Sequence, residues 1–136
     1  MITYHWTVDP TCILTRGELQ GVLSDLARRS CRSANARLNL VIVRLACCCG
    51  LRASEIGGLL MKDVRIEAVR PHIYVPARLA KGGHARRVPL WWDRRTLADL
   101  SIREGARRDE GAGPDDPFVC SVNRNTAGRR YGGSSR

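Results

Sequence analysis

Apolar residues at Leu19, Val22, Leu23 and Leu26 recur three and four apart, the spacing that gathers side chains on one face of a helix. The residues before them, Leu14-Thr15-Arg16-Gly17-Glu18, carry a start signal. Thr15 can cap the Glu18 amide while Glu18 reaches back to Thr15, and Leu14 can staple onto Leu19. A helix is therefore predicted to about Arg29. Ser30 to Asn35 is a polar break, and a second helix is predicted from about Ala36 to Cys49. Leu38, Val41, Ile42, Leu45 and Cys49 form its stripe, which Leu40, Val43, Ala46 and the other cysteines widen almost all round. A helix this apolar belongs at the centre of a domain. Gly50 is its natural left-handed stop.

A third, shorter helix is predicted from Ala53 or Ser54 to about Leu60 or Met61. From Asp63 the period changes to that of strands. Val64-Arg65-Ile66, His72-Ile73-Tyr74-Val75 and Arg86-Arg87-Val88-Pro89-Leu90 alternate or are β-branched, and turn residues fall between them at Val69-Arg70-Pro71 and Lys81-Gly82-Gly83-His84. This predicts a three-stranded antiparallel sheet with Lys81 in its second turn and Pro89 at an edge or strand end. A fourth helix is expected over about Arg94 to Arg108, with Leu97, Leu100 and Ile102 facing inward. Gly111 to Pro117 reads as a loop, and Phe118-Val119-Cys120 as a short extended piece. The fold class is α+β, mainly helical with one antiparallel sheet. Residues 1–13 read as a linker or the remnant of an upstream segment, 14–122 as the folded domain, and 123–136, nearly without apolar residues, as a disordered tail.

Composition sharpens this picture in two respects. The 136 residues carry 23 Lys and Arg against 13 Asp and Glu, a formal charge of +10. That excess favours a polyanion, because each neutralised phosphate releases a condensed counterion. No apolar run is long enough to span a bilayer, and the amino terminus lacks the charged-then-apolar order of a signal peptide, so a cytoplasmic protein without membrane contact is expected. The six cysteines do not form a metal or disulfide framework on their spacing. Cys47, Cys48 and Cys49 are adjacent, and successive helical residues point about 100° apart, so they cannot converge on one tetrahedral ion. They are expected to be free thiols packed as small hydrophobes, with no metal and no cofactor.

Two segments carry candidate chemistry. In Gly50-Leu51-Arg52-Ala53-Ser54-Glu55-Ile56-Gly57-Gly58-Leu59-Leu60 an arginine follows a tight turn. Its guanidinium can offer two parallel donors to a phosphate, with the amides of the next helix adding positive potential. Glu55 is placed either to orient that guanidinium or to cap the helix. In Lys81-Gly82-Gly83-His84-Ala85-Arg86-Arg87-Val88-Pro89-Leu90 a lysine sits in a glycine turn flanked by Arg78, His84, Arg86 and Arg87. A hairpin tip of this kind can lower an ammonium into a DNA groove. Two helices around a glycine turn also admit a helix-turn-helix reader. Ile56, Leu59 and Leu60 count against it, because they read as packing residues and leave few side chains for bases.

These two segments together, in this order, resemble the first half of the catalytic domain of the tyrosine recombinases, the phage-integrase family. Gly50-Leu51-Arg52 with Ser54, Glu55, Ile56 and Leu59 matches the motif of the family's first catalytic arginine. Lys81-Gly82, Arg86, Val88, Pro89 and Leu90 match the hairpin of its catalytic lysine, and Leu14-Thr15 with Glu18 is similar to the opening of the catalytic domain. The resemblance covers about Leu14 to Val119. It implies double-stranded DNA as partner and strand exchange through a phosphotyrosyl intermediate, needing no metal or nucleotide. By carry-over, Arg52 would clamp a non-bridging phosphate oxygen and Lys81 would protonate the leaving oxygen. Glu55 would be the accompanying acid, and Arg78, His84, Arg86 and Arg87 would lie along DNA.

The family's second half calls for a His-x-x-Arg helix and a tyrosine nucleophile, and the sequence departs from it there. His84 alone has an arginine three residues on, and that Arg87 already belongs to a predicted strand. Tyr131 is the one late tyrosine, in a glycine-rich stretch without the preceding motif. The expectation is a truncated recombinase, inactive alone, that self-associates or partners a full-length recombinase. The competing expectations are a non-catalytic DNA-binding regulator and a remnant gene product. Missing carboxy-terminal helices are expected to leave apolar surface exposed on the second helix and the sheet.

Overall fold

A computed structural model describes Thr11 and residues 13–121. The tail 123–136 with Tyr131, and the linker 1–13 apart from Thr11 and Ile13, lie outside the described residues. Helix α1 spans Arg16–Ser30. Its capping box forms as the sequence predicts: Thr15 Oγ1 accepts from the Glu18 amide at 3.1 Å, and Glu18 Oε2 accepts from the Thr15 amide at 3.3 Å. Leu23 and Leu26 are its buried residues, whereas Leu14 is 58% exposed.

Helix α2 spans Ala34–Val43 and starts earlier than predicted, because Ser33 Oγ accepts from the Ala36 amide and supplies the cap. It does not continue as an α-helix to Cys49. Residues Arg44–Cys48 form a π-helical turn, closed by the Cys49 amide donating to the Arg44 carbonyl at 3.0 Å. Arg44 is buried there, and its Nε donates to Asp99 Oδ2 at 2.8 Å, so an ion pair ties this wide turn to the last helix of the domain. Gly50 follows with φ +70°, the left-handed stop the sequence predicts. Among the described residues the thiols are free, but they are not uniformly packed inside: Cys31 and Cys47 are exposed, Cys48 and Cys49 half-buried and Cys120 buried, while Cys12 lies outside the described residues. The exposed pair corrects the expectation of buried thiols, since the π turn carries Cys47 to the outer surface.

Helix α3 is shorter than predicted, Ala53–Gly58. Leu59 turns extended at φ −66° and ψ 129°, because the chain beyond it pairs with a distant segment. The Phe118 amide donates to the Leu59 carbonyl and the Met61 amide to the Asp116 carbonyl, at 3.0 and 2.9 Å. A 3₁₀ turn, Met61–Asp63, leads into the sheet.

Strands β1 (Val64–Arg65), β2 (His72–Val75) and β3 (Arg86–Pro89) pair antiparallel in the order β1-β2-β3, as predicted, with Pro89 at the end of an edge strand. The register sets Val64 and Val88 beside Ile73 and sets Arg86 opposite Val75, so these residues share the inward face. Helix α4 spans Arg94–Asp109, capped by Asp93, whose Oδ1 accepts from the Thr96 amide at 3.1 Å. Leu100 is fully buried and Leu97 partly so, but Ile102 is 66% exposed. Its predicted inward position is corrected by geometry: Ile102 is two residues from Leu100, about 200° round the helix.

The main core joins Leu38, Val41 and Leu45 to Leu51, Ile56, Leu59, the inward strand residues, Leu100, Phe118 and Val119. A smaller cluster of Leu23, Leu26 and Leu40 fixes α1 to the other side of α2. Central placement of α2 thus holds. The large exposed apolar side chains among the described residues are Ile13, Leu14, Val22, Val69, Trp91, Trp92 and Ile102. None is on α2 or on a strand, which corrects the expectation of bare apolar surface there. No helix of the described residues is long and apolar enough to cross a membrane.

Candidate functional site

Gly50, at the end of the π turn, redirects the chain so that Arg52 stands at the amino end of α3 with its side chain in solvent. The second wall comes from the hairpin between β2 and β3. There the Pro76 carbonyl accepts from the Leu79 and Ala80 amides at 3.0 and 3.1 Å, and Gly82 and Gly83 follow at φ +85° and +72°. This turn presents Lys81 to solvent beside the start of α3. Its anchor is steric: a Cβ on Gly58 would fall 2.3 Å from Leu79 Cδ2, so the missing side chain at Gly58 is what lets the hairpin seat on α3.

Arg52 and Lys81, far apart in sequence, thereby line one open concavity of about 450 Å³ together with Gly50, His84, Ala85 and Arg86. Its charge is positive and its floor is rigid. Glu55 is completely buried. It accepts from both terminal nitrogens of Arg86, with Nη2 to Oε1 at 2.7 Å, and its Oε1 also accepts from the Arg52 amide at 2.9 Å. Of the two roles the sequence left open for Glu55, capping is therefore the one formed, and the guanidinium it holds is that of Arg86. The Arg86 hydrogen bonds hold the Glu55 carboxyl below the usual carboxylate range against the opposing effect of burial, and the Arg52 amide adds to that depression. Glu55 in turn makes the Arg86 proton harder to remove.

The remaining candidates separate from this group. Arg87 projects from the outer face of the sheet, opposite Tyr74 in the register. Arg78 reaches toward buried Asp63 at 3.8 Å, an ion pair on the hairpin's other flank. The amides of α3 add less potential than the sequence suggests, since the helix has six residues and its dipole is correspondingly small. Sequence reasoning treated Arg86 and Arg87 alike as DNA contacts. Period-two alternation was the available signal that they face opposite ways, and a buried glutamate needed one of them.

Among the described residues no group of three or more His, Cys, Asp or Glu gathers in a way that could hold a metal ion. Comparison of the chain with models of known protein families, with curated proteins and with solved structures finds no match.

Proposed function

We propose that this chain is a DNA-binding unit of the tyrosine-recombinase type, holding a backbone phosphate of duplex DNA between Arg52 and Lys81. The observation that carries the reading is their convergence on one open, positive concavity, built by two segments that resemble the family's motifs. Arg52 is suited to clamp a non-bridging oxygen with paired donors, and Lys81 to neutralise or protonate a bridging oxygen. Arg86, fixed and charge-compensated by Glu55, makes a rigid floor beneath them and leaves Arg52 and Lys81 as the free positive charge. The residues that could form a covalent link to DNA are not in this set, and neither is a His-x-x-Arg helix. This set alone binds and positions a phosphate and leaves the strand intact; cleavage would require a nucleophilic tyrosine outside it.

The test is binding of the full chain to duplex DNA across a salt series. Affinity is expected to fall steeply with salt, and Arg52→Ala and Lys81→Ala are each expected to reduce the magnitude of the log–log slope by about 1. A suicide DNA substrate is expected to trap no covalent adduct. Absence of duplex binding at low salt, or slopes unchanged in both variants, would overturn the phosphate cradle. An adduct abolished by Tyr131→Phe would overturn the non-cleaving assignment.

A further inference from the structure

We infer that the outward face of the sheet, with Trp91 at its end, is a second nucleic-acid surface that takes an unpaired strand. Strand alternation sets Ile73 and Val75 into the core and turns His72 and Tyr74 outward. The register adds Arg65 opposite His72, Arg87 opposite Tyr74 and Pro89 opposite His72 on that same face. The Arg65 guanidinium lies over the Tyr74 ring, 4.8 Å from its centroid, forming a flat cationic plate. Beside it, Val69, Arg70, His72, Arg87, Pro89 and Trp91 line a hollow of about 600 Å³. His72 steadies one wall: its Nδ1 lies 2.8 Å from the Arg70 carbonyl, which can only accept, so Nδ1 carries the proton.

Three features identify the ligand. The first is free positive charge. Arg44, Arg86, Arg107 and Arg108 are matched by carboxylates, whereas among the described residues none pairs with Arg65, Arg70 or Arg87. Glu67, the acid on the adjoining turn, is directed to Arg108 at 3.7 Å, and no acid lines the hollow. The second is exposed flat or apolar surface: Trp91 is 54% exposed and Val69 fully so. The third is the pairing of these two within one open site. Phosphates match the arginines, while the tryptophan face matches a base, and a duplex hides base faces in its own stack. An unpaired strand offers both. The surface is distinct from the Arg52 and Lys81 concavity and shares no residue with it, so it stands or falls independently of the recombinase reading.

The test is fluorescence anisotropy of the full chain with a labelled oligo-dT of about 16 nucleotides, in parallel with a labelled duplex of mixed sequence. Trp91→Ala and Arg87→Ala are each expected to weaken oligo-dT binding about tenfold, the scale of losing one stacked base or one charged contact. Trp91→Phe, which keeps a ring, is expected to retain most of the affinity, and Arg52→Ala is expected to weaken the duplex and spare oligo-dT. Because Trp91 and Arg87 are exposed, urea midpoints should match the parent and separate lost binding from lost folding. Oligo-dT affinity unchanged in Trp91→Ala, or an equal loss in Trp91→Phe, would overturn the proposal. So would polyglutamate binding with the same dependence on Trp91, which would mark the surface as one for acidic polypeptides. A parent chain that binds oligo-dT but not the duplex would sink the phosphate cradle and leave this surface standing.

Discussion

Glu55 shows how one residue joins stability to the candidate site. A carboxylate with no exposure is tolerated only with full compensation, and Arg86 and the Arg52 amide together supply it. Its native pKa lies below the unfolded value, so the folded state binds fewer protons near that range. The resulting stability is fully present above the ordinary carboxylate range and is lost as pH falls through the depressed native value. Arg86→Ala removes the compensation and leaves burial to disfavour the charged form. The expected cost at pH 7 is about 3 kcal/mol, toward the low end for a broken buried pair because the Arg86 side chain is 38% exposed. Below about pH 4, where the stranded acid is protonated, that cost is expected to shrink. Urea midpoints of parent and variant at both pH values measure it, and an equal cost at both would show that Glu55 is not the group responsible. This pair was half legible in the sequence. The Ser54-Glu55 spacing after Arg52 marks a helix start, but identifying the arginine that fills the pocket requires the β3 register. A thiol gives a parallel case: burial pushes Cys49 up to about 12, a setting the adjacent Cys47-Cys48-Cys49 run does not reveal.

Elements were legible where local pattern and tertiary packing agree. The α1 capping box, the Gly50 stop and the three strands each rest on contacts between near neighbours, and all form as predicted. The misses have tertiary causes. The π turn is closed within an apolar run that reads as plain helix, and it is tied down by Asp99 from α4, far along the chain. Likewise α3 ends early because Leu59 is fully buried and its carbonyl pairs with Phe118. Gly58 belongs to this class, since its need for glycine arises only where Leu79 arrives from the hairpin. Gly58→Ala places a methyl group against three Leu79 side-chain carbons, and the Leu79 side chain must leave its present position on α3 to accommodate it. The expected loss is about 1 kcal/mol, the overpacking cost exceeding what alanine gains in helix propensity at the frayed end of α3. Duplex affinity should weaken with it. Truncating the intruding side chain in a Gly58→Ala, Leu79→Ala double variant is expected to cost less than the sum of the single changes, because the clash vanishes. Additive losses would show that Leu79 does not seat the hairpin on Gly58.

At the scale of the whole molecule, α2 is the wall between two unequal cores. One side carries the main cluster with the sheet, α3, α4 and the 118–119 segment; the other carries Leu23, Leu26 and Leu40, with α1 outside them. Both positive surfaces are built on the larger body: the concavity from Arg52 and the hairpin, the outer face from β1, β2, β3 and Trp91. Helix α1 contributes to neither. It buries Leu23 and Leu26, with Leu19 partly covered, and the cap and ion pairs along it are exposed, so its release uncovers a smaller apolar cluster than the main core. Opening of α1 should therefore be a sub-global event, with its amides exchanging through a lower free-energy opening than those of β2, where Ile73 and Val75 are fully buried. Leu26→Ala is expected to speed exchange across α1 while leaving β2 exchange nearly unchanged. Leu45→Ala, in the main cluster, should cost about 2–5 kcal/mol and accelerate exchange in both. Native-state hydrogen exchange resolved by residue distinguishes these patterns. If Leu26→Ala accelerated β2 as much as α1, the two clusters would be one cooperative unit, and changes on α1 would then propagate to both binding surfaces.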